Sequence, residues 1–323
     1  MLLSPDETRR LFAHAVTNGY AILAVNADSP AAVGDCLAAA AASDAPIIIE
    51  TSLWQLTGHS FGVGDPLLGV DRYLADLRVL ANAPAFAGVP VVYHTDHIKG
   101  PDTLRILQHA MRSGASSISL DSSELTPAQN IAHICELCAF ASEEGLPVTL
   151  EMEAGVDEGV TELAETRSLF GEVEARHPGK LALWAPGVGT KHGLGDMGGF
   201  SPDAVKAHRE LAAELAGRPI GIALHGSSGL SDEQLSAAVA AGVAKVNWSS
   251  ESLLIRSQAL REFYATRGGK LEKGDPDFKA TAMDNGPQSF VAAAYLPKVK
   301  ARIETLGGAG FGSRLIEDLR AGD

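Results

Sequence analysis

Eight short apolar runs, each followed by a helical segment, constrain this chain more than any other feature. They are YAILAVN (20–26), PIIIETS (46–52), PVVYHTDH (90–97), SSISLDSS (116–123), PVTLEME (147–153), LALWAPG (181–187), PIGIALHG (219–226) and VAKVNWSS (243–250). Ala-rich segments such as SPAAVGDCLAAAAASD and SPDAVKAHRELAAELAG fall between them. Apolar strands without clean alternation are buried on both faces, as in parallel sheets with helical crossovers. Eight of them predict an α/β fold of the closed (β/α)₈ TIM-barrel type. A doubly wound open sheet would carry a Gly-rich fingerprint after its first strand. Here that position reads VNADSPAA. The expectation is one domain over 1–323, with the barrel over about 1–255 and a C-terminal helical extension over about 256–323. In that extension LPKVKARIETLGGAG reads as a helix ending at glycine.

Charge narrows the partners. The chain carries 26 Lys and Arg against 40 Asp and Glu, a net charge of −14. Nucleic acid is excluded as a partner, because that binding neutralises phosphates with cations. An anionic substrate must be held by local groups, since the overall field repels it. No apolar run approaches the ~20 residues that span a bilayer. The start, MLLSPDETRR, has no basic region followed by an apolar stretch, so the expectation is a cytoplasmic protein without membrane contact. The three cysteines, Cys36, Cys135 and Cys138, fit a reducing compartment. Cys135 and Cys138 have CxxC spacing but fall inside a helical pattern, where they read as inert thiols.

Barrel active sites form at the C-terminal ends of the strands, and polar residues gather there. The runs end at Asn26, Ser52, Asp96-His97, Asp121, Glu151 with Glu153, a segment containing His192, His225, and Asn247 with Ser249 and Ser250. His97, His192 and His225 come from the third, sixth and seventh runs and converge on a barrel mouth. Three neutral imidazoles with an open fourth position make a catalytic zinc site. Asp96 precedes a ligand directly, so alternation points it to the other side of the strand tip as a candidate proton carrier. His94 reads as an orienting neighbour. Glu151 and Glu153 share one strand face, where they hold a second cation, position a ligand or form a charged rim. Asp157 and Glu158 lie in AGVDEGV, between Gly155 and Gly159, which allow a lid. In HGSSGLSDEQ the amides of Gly226 to Gly229 form an anion nest, with Ser227 and Ser228 adding hydroxyls.

HTDH, SSISLDSSE, TLEMEAG, HGSSGLSDE and GVAKVNWSSE, in this order, resemble segments of the class II, zinc-dependent ketose-bisphosphate aldolases, a family that includes fructose- and tagatose-bisphosphate aldolases. The resemblance covers most of the chain. It implies one Zn²⁺ per chain on His97, His192 and His225, with a monovalent cation as a further candidate. It implies that Asp96 handles the hydroxyl proton at the bond being broken, and that Glu158 or Asp157 exchanges the proton on the donor carbon. Gly193, Gly226, Ser228, Asn247, Ser249 and Ser250 match positions that hold the ketose phosphate and enediolate. Asn26, Ser52 and Asp121 match positions that line the substrate. The family's habit is a homodimer or homotetramer.

Two departures bear on the substrate. The family's lysine after the HG of the sixth run is replaced here by Gly193-Leu194-Gly195-Asp196. The family's DPR in the tail, which places an arginine on the distal phosphate, reads Asp275-Pro276-Asp277. A hydrogen bond between a cation and a phosphate is worth about 1.5–3 kcal/mol, and both replacements forgo one. The expectation is therefore a lyase: a zinc aldolase that makes or cleaves a ketose or ketose phosphate through a metal-stabilised enediolate, with a sugar or sugar phosphate other than fructose 1,6-bisphosphate. The alternatives are a retro-aldol sugar epimerase on the same scaffold, or a non-catalytic partner subunit of an aldolase.

Overall fold

A computed structural model describes residues 1–155, 158–194 and 199–321. All eight apolar runs form parallel strands. They are β1 (Ile22–Asn26), β2 (Ile47–Thr51), β3 (Val91–Thr95), β4 (Ser117–Ile118), β5 (Leu150–Glu153), β7 (Leu181–Ala185), β9 (Gly221–Leu224) and β10 (Val243–Trp248). β1 pairs with both β2 and β10, so the sheet closes in the order β1-β10-β9-β7-β5-β4-β3-β2. A separate antiparallel pair, β6 (Glu158–Val160) and β8 (Val188–Lys191), stands outside the barrel, where the sequence pattern predicts loops.

The fourth strand is shorter than its apolar run. Beyond Ile118 the chain leaves the regular ladder, because Ser119 N donates to both the carbonyl and the hydroxyl of Thr95 at 3.1 Å. Asp121 N then bonds Ile98 O, beyond the end of β3. Many helices start on a cap followed by proline: Ser4-Pro5, Ser29-Pro30, Asp65-Pro66, Thr126-Pro127 and Ser201-Pro202. In each the cap side chain accepts an amide of the first turn, and proline occupies a position that needs no donor.

Strand side chains divide by period two. Leu23, Val25, Ile47, Ile49, Val91 and Tyr93 pack outward against the helices in one cluster. Ile22, Ala24, Ile48 and Val92 belong to a second, inner cluster. Leu11, Phe12 and Ala15 of the helix Pro5–Asn18 join that inner cluster and close the N-terminal end of the barrel. Continuing the same alternation toward the C-terminal ends puts Asn26, Glu50, His94 and Asp96 on the inner side. All four are buried.

The helix Ser250–Arg267 runs across position 255, so the last barrel helix continues into the C-terminal extension. The helix Asn285–Thr305 lays Tyr295, Val299 and Ile303 into the main core. Tyr295 stacks on Trp248 with ring centroids 5.9 Å apart, and its hydroxyl meets Ser252 Oγ at 2.5 Å. No helix among the described residues is long and apolar enough to cross a membrane. Cys36 and Cys138 are buried, Cys135 is half-buried, and none is in a disulfide. Tyr295→Ala is expected to lower unfolding free energy by about 3–5 kcal/mol in urea denaturation. The exposed Leu271→Ala should stay within about 0.5 kcal/mol. Equal effects would contradict the packing of this helix into the core.

Candidate active site

A cavity of about 690 Å³ opens at the C-terminal ends of the strands. Its walls include Asp96 and His97 from the tip of β3, His192 and Gly193 after β8, Asn247 near the end of β10, and Ser249 and Ser250 after it. Asn26, Ser52, Asp121, Gly226, Ser227 and Ser228 complete the predicted set that lines it. His225 lines a smaller adjoining recess with Glu153, and that recess shares His192 and Gly226 with the main cavity. Glu151 and His94 lie beneath, fully buried. Asp157 and the Gly195-Asp196 pair fall outside the described residues. The backbone of Glu158 pairs with Lys191, which places it beside the segment carrying His192.

His97, His192 and His225 bring ligating nitrogens within 4.8 Å of one another. Ring centroids are 5.0 Å apart for His97 and His192 and 5.2 Å for His97 and His225, with the rings set edgewise. Strand alternation predicts that Asp96 and His97 turn apart. Both line the cavity instead, because His97 adopts a left-handed backbone with φ of 48°. For a non-glycine residue that conformation is strained by about 1–3 kcal/mol and persists only where the surroundings impose it.

The surrounding hydrogen bonds suit a metal. His225 Nε2 lies 2.9 Å from Glu151 Oε1. A carboxylate only accepts, so Nε2 carries the hydrogen and Nδ1 keeps its lone pair. His97 Nδ1 faces Asp121 Oδ2 at 3.5 Å, which leaves Nε2 toward the site. Carboxylates behind imidazoles orient metal ligands and raise their basicity. Burial disfavours the His97 cation, yet Asp96, Asp121 and Glu153 outweigh it and push its pKa well above the ordinary value. The pocket is thus a strong attractor for positive charge. Asp96, His97, Glu153 and His225 form a second overlapping donor set, and Glu151 is not part of it but backs His225.

Asp96 is held on both oxygens: Asn26 Nδ2 donates to Oδ2 at 3.1 Å and Asn247 Nδ2 to Oδ1 at 3.0 Å. Burial opposes its ionisation, but His97 and Lys245 prevail and hold it down to about 2. It is a fixed, ionised acceptor. Burial pushes Glu153 up to about 7, and Ser119 Oγ donates to it at 2.9 Å.

The predicted anion nest is only partly available. Ser227 is buried and donates to Asn247 O, while Ser228 Oγ accepts from Glu251 N at 3.3 Å. Gly226 has φ of +66° and a Cβ there would lie 2.6 Å from Lys191 O, so only glycine fits this turn. Ser52 caps the helix Leu53–Thr57, accepting from Trp54 N at 3.3 Å.

Three charged residues of this region escape the sequence pattern. Lys99 lines the cavity two positions beyond His97, and its ammonium meets Asp121 at 3.7 Å and Glu124 at 3.2 Å. Glu50 and Lys245 are fully buried partners at 3.2 Å inside the barrel. Their signal is a lone charge at an inward position of an apolar strand. Burial disfavours the Lys245 cation, but Glu151 and Glu50 push its pKa above the ordinary value, the opposite of what a Schiff-base amine needs.

The model of the family described as fructose-bisphosphate aldolase class-II matches residues 6–309. A fructose-bisphosphate aldolase of Streptococcus pyogenes is 30% identical over 308 residues, covering 90% of this chain and 94% of the relative. One from Streptococcus pneumoniae is 30% identical over 309 residues, covering 91% and 94%. Among solved structures, the fructose-bisphosphate aldolase of Campylobacter jejuni superposes with a TM-score of 0.79 at 22% identity, covering 95% and 96%. The YdjI aldolase of Escherichia coli K12 gives 0.73 at 21% identity, covering 97% and 100%. Both share the fold. Asp121→Asn removes the carboxylate behind His97 and is expected to weaken zinc binding roughly 10–100-fold in competition with a chelating dye. Unchanged affinity would contradict the orienting role.

Proposed function

We propose, for a chain that belongs to the class II fructose-bisphosphate aldolase family, a zinc-dependent aldol cleavage and condensation whose ketose is not fructose 1,6-bisphosphate. The observation that carries the chemistry is the meeting of His97, His192 and His225 beside an ionised, doubly anchored Asp96. His97, His192 and His225 as neutral imidazoles would hold a zinc ion without cancelling its charge, and it would supply Lewis acidity to the ketose oxygens.

The chain's own residues do the rest. Asp96 takes the proton from the hydroxyl on the carbon whose bond to the donor breaks. That carbon becomes the aldehyde, and the bonding pair stays with the donor fragment. Glu158 or Asp157 then supplies a proton to the donor carbon, and condensation runs the same transfers backward. The donor is held by Gly193 after β8, Gly226 and Ser228 in the turn after β9, Asn247 of β10, and Ser249 and Ser250 at the start of the helix Ser250–Arg267. Amides at a helix start favour negative charge, which supports a donor phosphate without a lysine.

The far end of the cavity favours an aldehyde without a distal phosphate. Among the described residues Lys99 is the cation lining the cavity, and it already faces Asp121 and Glu124. Asp277 pairs with Lys270 at 3.1 Å and does not line the cavity. Trp54, 86% exposed, and Leu53 give the rim an apolar wall. Each phosphate brings about −1.5 to −2 charges, against a chain of net charge −14. Exposed Leu254, Tyr264, Phe278 and Met283 support a homo-oligomer built through the C-terminal helices.

Steady-state cleavage assays test the reading. Asp96→Asn is expected to lower kcat for cleavage roughly 10²–10⁴-fold, with zinc still bound. Fructose 1,6-bisphosphate is expected to be a poor substrate beside a ketose lacking the distal phosphate. Efficient cleavage of the bisphosphate would overturn the substrate assignment. A C4-epimerised ketose without free aldehyde would favour a retro-aldol epimerase.

A further inference from the structure

Between the apolar floor of the barrel and its mouth lies a layer of ionisable side chains that lines neither the main cavity nor its adjoining recess. Glu50, His94, Glu151 and Lys245 are fully buried, and none lines the main cavity. Lys245 Nζ stands 3.2 Å from Glu50 Oε2, 3.1 Å from Glu151 Oε2 and 2.5 Å from Asn247 Oδ1. His94 Nε2 is 3.7 Å from Glu151 Oε2, and His94 Nδ1 meets Ser117 Oγ at 3.0 Å.

Two of the lysine's partners each make a second contact that reaches the site. Asn247 accepts from Lys245 through Oδ1, so its Nδ2 must turn toward Asp96, where it donates at 3.0 Å. The flipped amide would set its NH₂ against the ammonium and its carbonyl against the carboxylate. The ammonium therefore removes the twofold ambiguity of the carboxamide. Glu151 gives Oε2 to Lys245 and Oε1 to His225 Nε2 at 2.9 Å. That contact fixes which imidazole nitrogen carries hydrogen and which faces a metal.

We propose that Lys245 is a positioning residue whose single buried ammonium aligns both halves of the reaction, setting the Asp96 hydrogen bond through Asn247 and the His225 tautomer through Glu151. The inference rests on the roles given to Asp96 and His225 above. A methionine would occupy similar space but could neither orient the amide nor anchor the carboxylate.

The test titrates Co²⁺ into metal-depleted full-length protein, because its visible absorption reports ligand geometry independently of turnover. Lys245→Met is expected to weaken Co²⁺ binding roughly 10–100-fold and to alter the band. For ketose cleavage kcat should fall roughly tenfold or more while KM stays within about threefold, since Lys245 touches no substrate. If that variant does not fold, Lys245→Gln with Glu151→Gln removes one buried charge of each sign. Compared with Glu151→Gln alone, it should lose roughly another tenfold in kcat through the Asn247 arm. Wild-type cobalt affinity and band in Lys245→Met would overturn the proposal. So would equal kcat in the paired variant and Glu151→Gln, or loss of fold in both lysine variants. A wild-type protein that binds Co²⁺ but cleaves no ketose would defeat the aldolase reading and leave the cobalt comparison to decide the role of Lys245.

Discussion

Closure of the parallel sheet forces every second strand residue into a narrow interior, and the site depends on how that interior is filled. At the N-terminal end it holds Ile22, Ala24, Ile48 and Val92, sealed by the helix Pro5–Asn18. One step along, the same inward positions hold Glu50 on β2, His94 on β3, Glu151 on β5 and Lys245 on β10. One further step reaches Asn26, Asp96, Glu153 and Asn247. The barrel thus changes from apolar to ionic to catalytic along its axis. Because barrel strands are tilted and staggered, these layers run obliquely to the strand register: Asn26 lies opposite Glu50, Glu50 opposite His94, and Ala24 opposite Asn247.

Such a layer of charge survives in a dry interior only when its members satisfy one another. Lys245 offsets the charge of Glu151, whose pKa falls well below the carboxylate range even though burial opposes it, while Glu50 Oε1 and His94 Nε2 have no hydrogen-bond partner among the described residues. Burial pushes the Glu50 carboxyl up to about 8, with Lys245 opposing. Burial and then Lys245 push His94 down to about 3, which keeps it neutral beneath the site. The mouth above carries Asp96 and Asp121 ionised around His97. Negative charge therefore concentrates where three imidazoles converge, and a divalent cation is the ligand this geometry favours.

Much of this was legible in the sequence. Eight apolar runs between helices specified a closed barrel, and histidines at matching tips specified where ligands converge. Local backbone was harder to read. The left-handed turn at His97, which brings Asp96 and His97 to one cavity, leaves no mark in residue type, since histidine rarely adopts it. The pairing of β6 with β8 depends on a contact between segments about 30 residues apart in sequence, which periodicity does not reveal. Lys245 and Glu50 looked like ordinary polar positions in short strands. Only barrel closure shows that their register points inward, where a lone charge must have a partner. Lys99 was missed because it lies past the strand tip, in a loop whose course the sequence does not fix.

The central claim is that these histidines hold a metal that makes a donor carbon acidic. It is tested most directly by the metal content of the purified protein and of His225→Ala, with dihydroxyacetone and dihydroxyacetone phosphate each assayed for proton exchange in deuterated water. The account predicts about one Zn²⁺ per chain, lost in the variant, and exchange of at least one donor by the wild type alone. Absence of bound metal together with exchange of neither donor would contradict it.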